Sequence, residues 1–242
     1  IANNVKTVTR ATITGPGSLV INNTNAFFDA GLQTATFLLP NSTAPFDNGA
    51  NANNVTSDFT GLGSLTANVK EFRVGFGVNV NSTLLLSDTS NSITANVVQI
   101  ANSNGLNSGT STMILGAGTN TFVTDAINIG VSKGVATLKF ASQTAGSAGT
   151  VVIGGKTGAT TDITVGGTLG TATGAQPTGT LDLRGHTATI TAGALIIGKR
   201  NSSGGGGAVG TVYFDGGTFT VNRIEMGTMS GNSGTTSPGP SG

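Results

Sequence analysis

Asp182, Arg184 and the single histidine, His186, follow one another at two-residue steps. In an extended strand that spacing puts a carboxylate, a guanidinium and an imidazole on one outer strip. Those three groups are enough for general acid–base chemistry. The same spacing is what a solvated strand face looks like, and the rest of the chain favours that reading. The acids Asp29, Asp47, Asp58, Asp88, Asp125, Asp162, Asp182, Asp215, Glu71 and Glu225 are scattered singly along the chain, with no pairing of the kind that cleaves a glycosidic bond. Gly154-Gly155-Lys156-Thr157 has the ending of a phosphate loop. The leading glycine is missing, because Thr150 and Val151 stand there, and residues 158–170 carry no helix-forming run. Gly-x-Ser-x-Gly is absent, and without cysteine there is neither a thiolate ligand nor a disulfide. The expectation is therefore a chain without catalytic, cofactor or metal residues, and not an enzyme.

Composition narrows the class of partner. Only 9% of residues are charged and the net charge is +1, against roughly 25% charged in ordinary soluble domains. A surface with so little charge has no basic face for phosphates, which excludes nucleic acid. Lys199-Arg200, the one adjacent basic pair, reads as a solvated loop. No apolar run reaches the roughly 20 residues that span a bilayer as a helix. Thr, Ser, Asn and 39 glycines supply the polarity, a mixture that suits strands and turns over helices. So weakly charged a chain is expected to assemble with copies of itself. It begins at Ile1, not Met, so a leader is expected ahead of it.

The elements that carry these residues show themselves by repetition. Thr-apolar-x-apolar occurs at Thr83, Thr112, Thr137, Thr180 and Thr211, and apolar-x-apolar-Gly follows at Ile127–Gly130, Val151–Gly154, Leu195–Gly198 and Ile224–Gly227. Ala101 takes the glycine place in the earliest copy. The distance from each threonine to its closing glycine is nearly constant while the loops between copies vary, which is the signature of stacked repeats. Alternation within the phrase predicts that Leu84, Leu86, Ile114, Leu138, Phe140, Leu181, Leu183, Val212 and Phe214 point inward. The closing glycines suit corners. Stacked in register, Lys139 enters the column of Asp182 and Arg184 comes beside Asp215, as opposite-sign neighbours that fix register.

Three regions follow. Residues 1–81 form a β-rich cap or docking region, with strand-like runs at 5–14, 18–21, 34–39 and 69–80, and a long loop at 41–57. This region holds Phe27, Phe28, Phe37, Phe46, Phe59, Phe72 and Phe76. Residues 82–230 carry the repeats, and 231–242 are a flexible Gly/Ser/Pro tail. The fold class is all-β, a parallel β-solenoid behind an irregular N-terminal cap. The stretch 5–14 is β-prone and free of Gly and Pro, so it can add as a strand to another copy or pair within its own chain. Val5, Val8, Ala11 and Ile13 are its candidate assembly residues.

The run Gly179-Thr180-Leu181-Asp182-Leu183-Arg184-Gly185, with Gly217-Thr218-Phe219-Thr220-Val221 in the next copy, resembles the β-strand repeats found beside bacterial autotransporters and in large secreted adhesins. The resemblance covers about residues 82–227 and implies a right-handed β-helix, export to the cell surface or beyond, and a structural or adhesive role. The function expected is a subunit of an extracellular filament or matrix that assembles with itself. An adhesin or carbohydrate-binding stalk that meets surface polysaccharide is the alternative, with a polysaccharide-degrading β-helix behind it.

Overall fold

A computed structural model describes residues 8–30, 53–76, 80–102, 109–168, 176–200 and 207–229. In chain order the strands are β1 (Val8–Thr12), β2 (Gly15–Ala30), β3 (Asn53–Asp58), β4 (Leu62–Phe76), β5 (Val80–Leu85), β6 (Ser90–Asn102), β7 (Thr110–Leu115), β8 (Thr119–Val131), β9 (Val135–Phe140), β10 (Thr150–Gly154), β11 (Thr161–Gly167), β12 (Thr178–Asp182), β13 (Thr187–Lys199), β14 (Val209–Tyr213) and β15 (Gly217–Met226). The described residues are all-β, and every pairing between these strands is parallel. Short strands form one seven-stranded sheet in the order β1-β3-β5-β7-β9-β12-β14. The long strands form the other, running from β2 through β4, β6 and β8 to β13 and β15. Successive strands thus alternate between two sheets, except that β10 and β11 follow one another in the second, and each sheet grows in sequence order.

The threonine phrase sets the register. Thr56 pairs with Thr83, Thr83 with Thr112, Thr112 with Thr137, Thr137 with Thr180, and Thr180 with Thr211. One residue on, Leu84, Met113, Leu138 and Leu181 form a buried column. They join Phe72, Phe122, Ile127 and Val165 of the long-strand sheet in a single core cluster. Two inward expectations need correction. Ile114 occupies the outward place of its phrase, between the buried Met113 and Leu115, and is only half-buried. Phe214 is inward in phase yet 37% exposed, because β14 is the last strand of its sheet and nothing described packs beyond it.

The glycine column also holds, with one copy reassigned. Gly75, Gly130, Gly166, Gly198 and Gly227 all have φ between 58° and 66°, and Ala101 takes the same left-handed turn at 52°. Gly154 does not belong to this column. Ile153 pairs with Phe122 and Ile190, which lie early in their strands, whereas Val165 pairs with Ile129 and Ile197 beside the corner. A six-residue excursion over 155–160 has split one long strand into β10 and β11, and both halves dock between β8 and β13. Residues 53–57, expected in a loop, are strand β3, and the ladder runs without a break through position 81. The expected strand at 34–39 and the tail at 231–242 lie outside the described residues.

Candidate functional site

The strip of Asp182, Arg184 and His186 is not the solvated face that alternation suggests. Only Arg184 is exposed; His186 retains 6% of its accessible surface. The strand ends at Asp182, and a turn at Arg184 and Gly185 breaks the alternation before β13 begins. An excursion over 141–149 then closes over the ring. His186 stacks on Phe140 with centroids 3.7 Å apart and 13° between planes. Its Nε2 faces the Ser142 carbonyl at 2.7 Å and its Nδ1 the Gly149 carbonyl at 3.4 Å. Asp182 is bound bidentately by its neighbour: Arg184 Nε donates at 2.9 Å and Nη2 at 2.6 Å. Those bonds, above all other influences, hold the Asp182 carboxyl below the ordinary range. Lys139 pairs with Asp182 in register, while Asp215 accepts from the Gly185 N–H at 2.9 Å. Arg184 also lies over the Tyr213 ring at 4.1 Å. With carboxylate, imidazole and guanidinium each engaged, the strip is a fastening between strands and a corner.

The phosphate-loop look-alike is resolved the same way. The N–H groups of Lys156 and Thr157 donate to Asp125 Oδ1 at 3.1 and 2.7 Å, and the Thr157 hydroxyl does so at 2.9 Å. The loop cradles the chain's own carboxylate, and the Thr157 N–H is the main reason that carboxyl sits low. Nor is Lys199-Arg200 a solvated loop. Lys199 closes β13 and reaches Glu225 at 3.3 Å, and Arg200 is almost fully buried.

Two clusters carried no phrase to mark them. In the first, Arg73 on β4 lies between the rings of Phe27 and Phe76, at 4.0 and 4.1 Å. It binds Glu71 at 2.8 Å and approaches Asp29 at 3.8 Å. Gln99 on β6 adds a bond to Glu71 at 2.9 Å. Burial raises the Asp29 carboxyl, against the pull of Arg73. In the second, Asn91 and Asn120 are buried at the corner that opens β6 and β8. Asn91 Nδ2 donates to Asn120 Oδ1 at 2.9 Å, and Asn120 Nδ2 donates to the carbonyls of Gly116 and Thr150 at 2.9 and 3.1 Å. A residue column that is polar in two successive copies was the available signal for this ladder.

What remains open are the ends. Among the described residues, β1 and β2 lie at one end of the two sheets and β14 and β15 at the other, and the outer edges of all four lack a partner strand. β1 is bound to β3 of its own chain along one edge, from Val8 opposite Asn54 to Thr12 opposite Asp58. Of the candidate assembly residues, Ala11 and Ile13 are exposed, Val8 is placed by its backbone alone, and Val5 lies outside the described residues. At the far end Ile224 and Met226 are 57% and 59% exposed, although both continue columns that are buried in β13. No helix among the described residues is long and apolar enough to cross a membrane, and no group of three or more His, Asp or Glu converges there. No protein family, curated protein or solved structure matches the chain.

Proposed function

We propose that the chain is a right-handed parallel β-solenoid and a structural subunit of an extracellular filament or matrix, its copies joined head to tail through β-strands. The observation that carries this reading is the pair of open ends. Among the described residues, each end is a cross-section of the same core, with apolar side chains and strand edges without a partner strand facing outward, and such edges invite another strand. Two further features support it. Charged side chains are few and mostly spent on neighbours within the stack, as in the Arg73 and Asp182 clusters. Parallel strands added in sequence order also give a rod that grows along one axis, and a contact between unlike ends generates an open line of subunits.

A carbohydrate-binding stalk has weaker support. Its natural contacts would be exposed rings, but Phe27 and Tyr213 are each covered by a guanidinium and lie at opposite ends of the sheets, and Phe214 beside Tyr213 packs edge-on to Phe219. Sedimentation and negative-stain microscopy of the purified chain test the structural reading. Filaments one molecule wide are expected, and removal of residues 1–14, which takes away β1 and leaves β2, is expected to give a folded chain that elongates less readily. A wild-type chain that stays monomeric at every concentration would overturn the proposal.

A further inference from the structure

We propose that the partner of the open β14/β15 end is the β1/β2 end of a second copy, docked so that the residue columns of one molecule continue unbroken into the next. The inference rests on the head-to-tail reading above and adds the register of the joint.

The register follows from the columns themselves. Thr218 pairs with Thr189, which leads through Val152, Thr121, Ser92 and Thr66 to Val20. One more step of the same kind sets Thr218 of one copy opposite Val20 of the next. Phe219 then meets Ile21, Ile224 meets Phe28 and Met226 meets Ala30, by the same chain of pairings. In the short-strand sheet Val212 meets Ala11 and Tyr213 meets Thr12. A large side chain faces a smaller or differently shaped one at several of these steps, as interdigitated packing requires. Strand direction matches as well, since both end strands belong to sheets that are parallel throughout.

Charge neither drives nor blocks the same alignment, because the charged residues at the joint have partners within their own molecule. Arg223, exposed on β15, comes opposite Phe27, a ring that already carries the Arg73 guanidinium and the Lys70 ammonium, and Arg223 keeps its own partner in Glu225, 3.2 Å away. Glu225 comes opposite Asp29, a like-charge step, but each acid has its own cation. Lys199 lies 3.3 Å from Glu225, and Arg73 3.8 Å from Asp29. Val20 is 62% exposed on the outer face of β2, and the joint gives it the lateral neighbour that other residues of its column have.

The chain contains no cysteine, so paired cysteines report the register directly. Neighbouring strands lie about 4.8 Å apart, within the Cα separation a disulfide bridges. The two ends of one molecule are about 29 Å apart by the same spacing, so a bond between them joins two copies. A chain carrying Val20→Cys and Thr218→Cys is expected to give a ladder of disulfide-linked oligomers under mild oxidation, and Val20→Cys with Thr220→Cys is not. Thr12→Cys with Tyr213→Cys probes the other sheet and serves if the first pair fails to fold. Filaments that form without either cross-link, or that cross-link through Thr220 instead, overturn the register and leave the head-to-tail reading standing. A folded chain that neither cross-links nor assembles overturns both.

Discussion

Asp29 and Asp58 lie near the same end of the molecule, yet their surroundings push them in opposite directions. Asp58 accepts from the Thr60 N–H at 3.0 Å and from its hydroxyl at 2.7 Å, bonds that, with Arg10, hold its carboxyl below the ordinary value of 3.8. A lowered carboxyl stabilises the fold above its unfolded value, and that gain is lost as pH falls through the folded one. Asp29 is the reverse case, because burial favours its protonated form. Its charge opposes folding once pH rises past the folded value, and the penalty vanishes below the unfolded value. Asp58→Asn is therefore expected to melt lower than wild type at pH 7, and Asp29→Asn higher. The Asp29 difference should close once pH falls below the ordinary value of 3.8, and the Asp58 difference only at still lower pH, as thermal melts across pH will check. Asn120 makes a simpler case. Asn120→Ala removes the partners of the buried Gly116 N–H and carbonyl and one of the two acceptors that the Asn91 amide has. At about 1–3 kcal/mol for each buried group left unpaired, a loss of more than ~2 kcal/mol is expected in denaturant unfolding.

At the scale of the element, the corner that closes each long strand decides whether the next strand falls into place. Gly130 has φ of 64° and its missing Cβ would lie 1.9 Å from the Thr178 carbonyl. Gly130→Ala is therefore expected to cost more than about 2 kcal/mol, since strain and a backbone clash combine. Ala101 holds the same turn with a side chain, so Ala101→Gly relieves roughly 1 kcal/mol of strain, offset in part by the freer unfolded chain. Equilibrium unfolding of the pair separates the two effects by sign. These corners were legible in sequence where apolar residues flank the glycine. Gly75 closes the same phrase, Phe72-Arg73-Val74, but no Thr-apolar-x-apolar run stands at the usual distance before it to mark the copy. Thr56 was missed because Ser57 fills the place that Leu84, Met113 and Leu138 take in later copies. The excursion over 155–160 hid a split strand, and the burial of His186 depends on residues 141–149, a contact that no local alternation encodes.

For the whole molecule, alternation and recurrence were enough to expect parallel strands and a shared core, because each short phrase buries its apolar face only against its copies. They did not reveal the Arg73 cluster, whose members come from β2, β4 and β6 and meet only through the register. The open ends are a property of the stack as a whole, visible only once the outer edges of β2 and β15 are placed. Seven strands in the shorter sheet, at about 4.8 Å each, give one subunit an axial length of about 34 Å. The most direct measurement is the axial rise of the assembled filament, read from oriented diffraction or from helical reconstruction of electron micrographs. Head-to-tail filaments should give a reflection at about 4.8 Å on the filament axis and a rise of about 34 Å per subunit. A rise near twice that value, from subunits meeting like end to like end, would contradict head-to-tail joining, as would strands running along the filament axis.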